Sequence, residues 1–485
     1  MRLIRGRMLC GAVLAAGIAT GTAGATGAGA AGAAGAARPL PRSVATPGSR
    51  LVTQPAPPVT ASDFRIEPVG VAPSDNDGLI PNPATPTGSP IAAPTTCNVT
   101  FASGGGATAA TINSWIAANE NTITSLTVVC LSGVFTSPLH VWSKASTALL
   151  EIAPAPGTTA TFDLGKVAAA DTNPNQYWSD SGGISIVDSR SVEIFGLTVE
   201  NYTFNGTAHV PAGIYVTARS DKTNINQGVV PHLSACYLNG GACSDIYIID
   251  NTVKHITNVA DKESTVQSVC GNANVNAYGI AVISGGSSKT EALQHVVVED
   301  NTVTGTRTGQ SETVTFNGDL TDFLASGNVI HDVDNIGLDT IGWETGSSQA
   351  NHAYVSDNTI YNVDTLSNYA YGKWSNGVCV PKQENAAGLY DDGGSFIWFD
   401  HNTVWNTDQG INLDVETANK ETDHLLVSNN VVHDDPGTSA TDPSSGTNPP
   451  GVGGKSTVAG HDPFAMYIDA FGSGATISSV YVHDN

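Results

Sequence analysis

Residues 296–303 read VVVEDNTV, a short β-branched strand closed by Asp-Asn, and the phrase keeps returning along the chain. Near copies are IYIIDNTV (246–253), FLASGNVI (323–330), AYVSDNTI (353–360), IWFDHNTV (397–404) and LLVSNNVV (425–432), and it begins again as VYVHDN (480–485). Its asparagines fall at 251, 301, 328, 358, 402, 430 and 485. The intervals suit a basic turn of roughly 22–30 residues, lengthened in places by inserted loops.

A second short strand precedes each phrase: AGIYVTA (212–218), YGIAVIS (278–284), IGLDTIG (336–342), AGLYDDG (387–393), QGINLDV (409–415) and AMYIDAF (465–471). No helical periodicity lies between them. Short strands recurring with turn residues at every coil predict an all-β parallel solenoid, in which each coil buries its inner face against its neighbours. The repeated Asn suits a left-handed turn position, with amide side chains stacked along the axis. Residues 108–119 hold the one amphipathic helix, with Ile112, Trp115 and Ile116 on one face, placed to cap the first coil.

Residues 97–485 read as the folded β-helix module, truncated in mid-repeat at Asn485. Residues 38–96 hold 13 of the 25 prolines and read as a stiff linker or arm. Residues 1–37 read as an export signal: Arg2, Arg5 and Arg7, an apolar stretch, then an Ala/Gly run. Nothing else is long and apolar enough to span a bilayer, so the protein is expected outside the cell, as a monomer. Asp and Glu (44) outnumber Lys and Arg (20), which leaves no electrostatic route to nucleic acid. Six cysteines follow the signal: Cys97, Cys130, Cys236, Cys243, Cys270 and Cys379. In an exported chain they predict disulfides, Cys97–Cys130 and two more among the other four. No CxxC spacing points to zinc.

Aligning the second strands on their first Gly, or on Ala465, puts Thr217, Ile283, Ile341, Asp392, Asp414 and Asp469 four residues on. Strand alternation sends that position outward, so three successive coils project a carboxylate from one spot, about 5 Å apart. Asp339 joins from position two of the previous coil, with Glu344, Asp391 and Glu416 at the margins. Like charges this close raise one another's pKa. A structural role explains such a file poorly; an acid–base or nucleophile–acid pair, or a calcium site, explains it better. No cofactor is required, and Ca²⁺ is the one the file could take. Trp343, Tyr390, Tyr467, Trp398, Trp405, Phe471, Tyr369, Tyr371 and Trp374 crowd the same segments; flat rings beside carboxylates suit a sugar cleft, while Trp398 on the repeat strand reads as core. The double Asp391-Asp392 leaves register open by one residue.

The segments NIGLDTIGWE (335–344), AGLYDDGG (387–394) and QGINLDVE (409–416) resemble those of exported bacterial proteins of the right-handed parallel β-helix superfamily, which includes pectate lyases, polygalacturonases and several glycosidases. They also resemble the β-helix β-xylosidases, where an Asp in a G-I-x-x-D strand is the nucleophile and an acid one coil later the acid/base. That resemblance implies Asp392 as nucleophile and Asp414 as acid/base, with Asp339, Glu344 or Asp469 binding sugar hydroxyls or tuning the pair. Asn412 departs from the Glu of the related pattern, which brings Glu416 into play. The polygalacturonase set is absent: Asn406-Thr407-Asp408 belongs to the turn repeat.

The expectation is a secreted glycoside hydrolase acting on a plant or microbial polysaccharide or its oligosaccharides, retaining because adjacent coils set about 5–5.5 Å between the two acids. A Ca²⁺-dependent polysaccharide lyase ranks second, since it needs a basic group and only Lys373, Lys382, Lys420 and the more distant Arg219 offer one. A non-catalytic β-helix adhesin ranks third, because insertions at 219–244, 260–276, 366–386 and 436–463 are the kind that shape a cleft.

Overall fold

The computed structural model describes residues 94–165, 182–203, 211–219, 243–257, 270–271, 276–285, 293–343, 349–365, 368–380, 386–433 and 464–485, together with the backbone of 64–66. Residues 1–37, nearly all of the Pro-rich stretch, and most of the insertions at 219–244, 260–276 and 436–463 lie outside the described residues.

The chain forms a parallel β-helix, as its repeats predict. Nine strands stack in register as a front sheet: Leu139–Trp142, Gly182–Val187, Ala212–Arg219, Tyr278–Gly285, Glu312–Gly318, Ile336–Ile341, Ala387–Asp392, Gln409–Asp414 and Phe464–Asp469. The other two faces, a back face and a face of shorter strands, make one continuous 20-stranded sheet, joined because Thr127–Phe135 pairs into both. Every strand pairing in these sheets is parallel. The lone antiparallel pair among the described strands is a hairpin, Lys373–Ser375 with Val378–Val380. Inside runs one core of Ile, Val, Leu and Phe, from Ile112 to Val480.

A corner between back and short-strand faces explains the Asp-Asn phrase. The residue before each Asn takes the left-handed conformation: Asp250, Asp300, Gly327, Asp357, His401, Asn429 and Asp484 have φ of 53–66°. This differs from the expectation, which put the Asn itself there. Turning the chain one residue earlier points the Asn inward, where Asn301, Asn328, Asn358 and Asn402 are fully buried. Only an amide can satisfy the polar backbone groups at that depth. Asn358 Oδ1 accepts from the backbone N–H and Nδ2 of Asn328, at 3.0 and 2.9 Å. Its own Nδ2 donates to the Ala325 carbonyl and to Asn402 Oδ1, both at 2.9 Å. The same pattern repeats from Asn251 to Asn485.

The glycine near the start of most front strands faces inward. A Cβ on Gly388 would lie 2.4 Å from Val404 Cγ1, and one on Gly279 2.4 Å from Val303 Cγ1, so the valine of each Asn-Thr-Val phrase fills the place a side chain would need. At the N-terminal end, helix α1 (Ala109–Asn119) buries Ile112 and Ile116 on the first coil, with Trp115 packed against the core; Thr108 caps it, its hydroxyl accepting from Thr111 N–H. Cys97–Cys130 and Cys270–Cys379 are bonded. Cys243 is also in a disulfide, while Cys236 lies outside the described residues. At the far end the backbone of Phe64–Ile66, within the arm, pairs in parallel with the last back strand, Thr476–His483.

Candidate active site

Register decides which carboxylates meet. Asp392 is the partner of Asp414, and Asp414 of Asp469, so the three stand in file on adjacent front-sheet strands. Leu389 and Leu413 belong to the core, and Asp391 pairs with Leu413. Asp391 therefore turns into the coil and Asp392 out of it. Asp339 pairs with Tyr390 and Thr315, which sets it two residues along its strand from the Asp file and one coil before. It is buried.

Backbone amides of the following coil hold each acid by one oxygen. Asp392 Oδ1 accepts from Glu416 N–H at 2.8 Å. Asp414 Oδ1 accepts from Val415 N–H at 2.6 Å and Phe471 N–H at 3.0 Å. Glu416 and Phe471 each lie two residues past the next strand's Asp, so one geometry is used twice. Oδ2 of Asp392 and of Asp414 has no hydrogen-bond partner among the described residues. Tyr390 donates its hydroxyl to Glu416 Oε1 at 2.9 Å, and Tyr467 donates to Asp469 Oδ2 at 3.0 Å.

Burial and like charge separate the two acids. Asp392 and Asp414 are 3% and 4% exposed. Burial pushes Asp392 up to about 6, opposed by the Glu416 amide. Burial, then the charges of Asp392 and Glu416, push Asp414 up to about 8 against the amides of Phe471 and Val415. Between those values one carboxyl of the pair is ionised while its neighbour keeps its proton. Among the described residues, no cation acts on either.

The remaining residues fall in different places. Trp343 sits at φ 71°, donates Nε1–H to the Glu421 carbonyl at 2.9 Å and lies under Lys420 Nζ, 4.2 Å from the ring centroid. That packing fixes it at the end of the front sheet beside Gly393. Trp398 is on the outer side of the back sheet rather than in the core, its Nε1 donating to Ser428 Oγ. Trp405 stacks between Tyr361 and His433 on the short-strand face. Neither ring reaches the Asp file. Lys373 is exposed in the hairpin, and His401 pairs with Asp400 at the Asn corner. Glu344, Lys382 and the side chain of Arg219 lie outside the described residues.

The front sheet holds three strands that the glycine alignment missed, Leu139–Trp142, Gly182–Val187 and Glu312–Gly318. Glu312–Gly318 has Thr313 where other strands have Gly, and pairs with both neighbours; it adds Glu312, Thr315 and Asn317 to the outer face. The amides of Glu416 and Phe471 left no side-chain signal to find. No group of three or more His, Cys, Asp or Glu arranged to hold a metal occurs among the described residues.

No family model matches the chain. An uncharacterized protein of Bacillus subtilis (strain 168), YwoF, is 31% identical over 250 residues, 52% of this chain and 44% of that protein; the chain thus spans less than half the length of the curated relative it matches. Among solved structures, similarity extends to a lacto-N-biosidase from Eubacterium ramulus (10% identity, TM-score 0.38, 75% of this chain and 63% of that one). It extends also to an alginate lyase from Paenibacillus sp. str. FPU-7 (11%, TM-score 0.31, 70% and 96%). A periplasmic alginate epimerase is similar at 11% identity and TM-score 0.29, over 78% and 82%. Likeness at this level bears on no residue of the Asp file.

Proposed function

We propose that the protein is a secreted glycoside hydrolase that cleaves a polysaccharide, or oligosaccharides derived from one, with retention of anomeric configuration. The observation that carries this reading is the Asp392–Asp414 pair: in register on adjacent coils, each clamped by backbone through Oδ1 and open at Oδ2, with proton affinities pushed apart. Strands about 4.8 Å apart favour the closer carboxyl spacing of retaining enzymes over the wider spacing that admits a water.

The chemistry follows from the two free oxygens. Asp392, ionised, attacks the anomeric carbon through Oδ2. Asp414 gives its proton to the glycosidic oxygen as the C–O bond breaks, leaving a glycosyl ester on Asp392. Esterification removes the Asp392 charge, one of the two charges that raise Asp414, so Asp414 becomes a better-poised base for the incoming water. Hydrolysis of the ester restores both groups. Glu416 takes no proton here; its amide aims Asp392 and its charge raises Asp414. Tyr467 and Asp469 border the pair and are the sugar-facing groups in this scheme; Tyr390 is fully buried and holds Glu416.

β-Elimination would need a basic group beside the acids, and no described cation acts on them. The test is a panel of xylans, arabinans, galactans, pectins and alginate, followed for new reducing ends and for the ultraviolet absorbance of unsaturated uronates. Reducing ends without absorbance support hydrolysis. Absorbance overturns it and moves attention to Lys373, Lys382 and Lys420.

A further inference from the structure

Asp391 is a buried carboxyl that the proposed reaction leaves unused. It has no exposed surface and touches three parts of the coil. Thr340, on the preceding front strand, donates Oγ1–H to its Oδ1 at 2.6 Å. The Gly394 amide bonds to it from the turn after Asp392. Thr422, on the back strand Glu421–Ser428, places Oγ1 3.0 Å from its Oδ2, and the same hydroxyl contacts the Gly394 carbonyl oxygen.

Hydrogen counting separates two charge states. A threonine hydroxyl has one hydrogen and two lone pairs, and Thr422 lies between two acceptors. If its hydrogen goes to Asp391, the Gly394 carbonyl is left facing the hydroxyl lone pairs in a buried place. If it goes to the carbonyl, the 3.0 Å contact is a bond only when Oδ2 itself carries hydrogen. The second arrangement satisfies every atom and the first does not.

We propose that Asp391 is a positioning residue held as an uncharged carboxylic acid inside the coil, donating from Oδ2 to Thr422 and fixing the turn that aims Asp392. The Oδ1 side leaves little slack: a Cβ on Gly394 would come within 2.3 Å of that oxygen. Of the groups packed around it, Thr340, Thr422 and Gly394 are uncharged, Leu413 is its register partner, and Asp392 is the charge that acts on it. Burial pushes it up to about 7, ahead of the lowering by both threonines. Loss of its proton sets a carboxylate against the Thr422–Gly394 contact and adds a charge beside Asp392.

The experiment uses the full chain with Asp391→Asn, Asp391→Ala and Thr422→Val. An Asn amide donates to Thr422 and accepts from Thr340, as a neutral acid does. The Asn variant should therefore melt at the wild-type temperature at pH 6 and lose part of the decline seen above pH 7. The Ala and Val variants should melt lower at both. Infrared difference spectra against pH should show protonated-carboxyl intensity in the wild type that falls by one carboxyl's share in Asp391→Asn. An Asn variant that melts well below wild type at pH 6, or that keeps the full wild-type band intensity, overturns the proposal. The kinetic readout alone rests on the hydrolase reading. If Asp391 is uncharged, Asp391→Asn leaves the acidic limb of kcat/KM where it was and changes kcat less than about threefold, while Asp391→Ala lowers kcat about tenfold or more. A downward shift of that limb in the Asn variant means the wild-type group was charged. If the wild type acts on no glycan, the hydrolase reading fails and the melting and infrared results decide on Asp391 by themselves.

Discussion

Asp414 accepts two backbone amides and Asp392 one, yet Asp414 holds its proton more tightly. The charges decide this: Asp414 feels both Asp392 and Glu416, whereas the opposing force on Asp392 is its single amide. Activity should follow a bell in pH, with an acidic limb near 6 from Asp392 and an alkaline limb near 8 from Asp414. A kcat/KM profile checks it, and a single limb would show that the two acids do not work as a pair. Asp392→Asn and Asp414→Asn should each lower kcat by roughly a thousandfold or more. Each Asn can keep its amide bond through Oδ1, so thermal midpoints at pH 8 should stay level or rise as a buried charge disappears. Full activity in both variants would refute the assignment.

At the scale of the repeating element, the Asn corner holds neighbouring coils together. Asn358→Ala removes an acceptor for two donors and a donor for two acceptors, all buried. It should cost about 3 kcal/mol, measured by urea unfolding. Gly388→Ala should cost about 1–3 kcal/mol by overpacking, and Val404→Ala in the same chain should recover part of that, because Val404 is the side chain in the way. Much of this element could be read in advance. The Asn phrase and the inward Gly have one residue type per coil, set by one steric demand, and so the β-helix and the Asp file were both legible. What stayed hidden had no fixed residue type. The back strands bend at a left-handed residue in coil after coil, filled by Asp245, His295, Asp322, His352, Phe396, His424 and Ser479. Backbone geometry is shared there and chemistry is not, although stacked rings of His352, Phe396 and His424 offset some of the strain. For the same reason the coil at Glu312–Gly318, with Thr for Gly, escaped the alignment. The choice between Asp391 and Asp392 needed the register itself.

Across the whole molecule, buried carboxyls with raised pKa recur from end to end. Burial pushes Glu120 up to about 8 and Glu151 and Glu193 up to about 7, besides the three acids of the front sheet. Glu151 and Glu193 are in register on adjacent back strands, and none of their four oxygens has a hydrogen-bond partner. Each such group binds its proton more tightly folded than unfolded. Its contribution is complete below the unfolded value near 4 and is lost as pH rises through the folded value of about 6–8. The protein should therefore be more stable at pH 5 than at pH 8.5, which urea unfolding at both would show; equal midpoints would mean that these acids are ionised in the folded chain.

The amide clamps also order the site in time. A chain threaded N-terminus first from a ribosome delivers Asp392 well before Phe471. At roughly 5–20 residues per second the interval is several seconds. Asp392 gains its clamp once Glu416 has docked, and Asp414, already held by Val415, gains its second once Phe471 has, so the pair is complete only after most of the solenoid is wound. On the proposed hydrolase reading, a nascent chain would carry both acids and remain inert until those coils are wound.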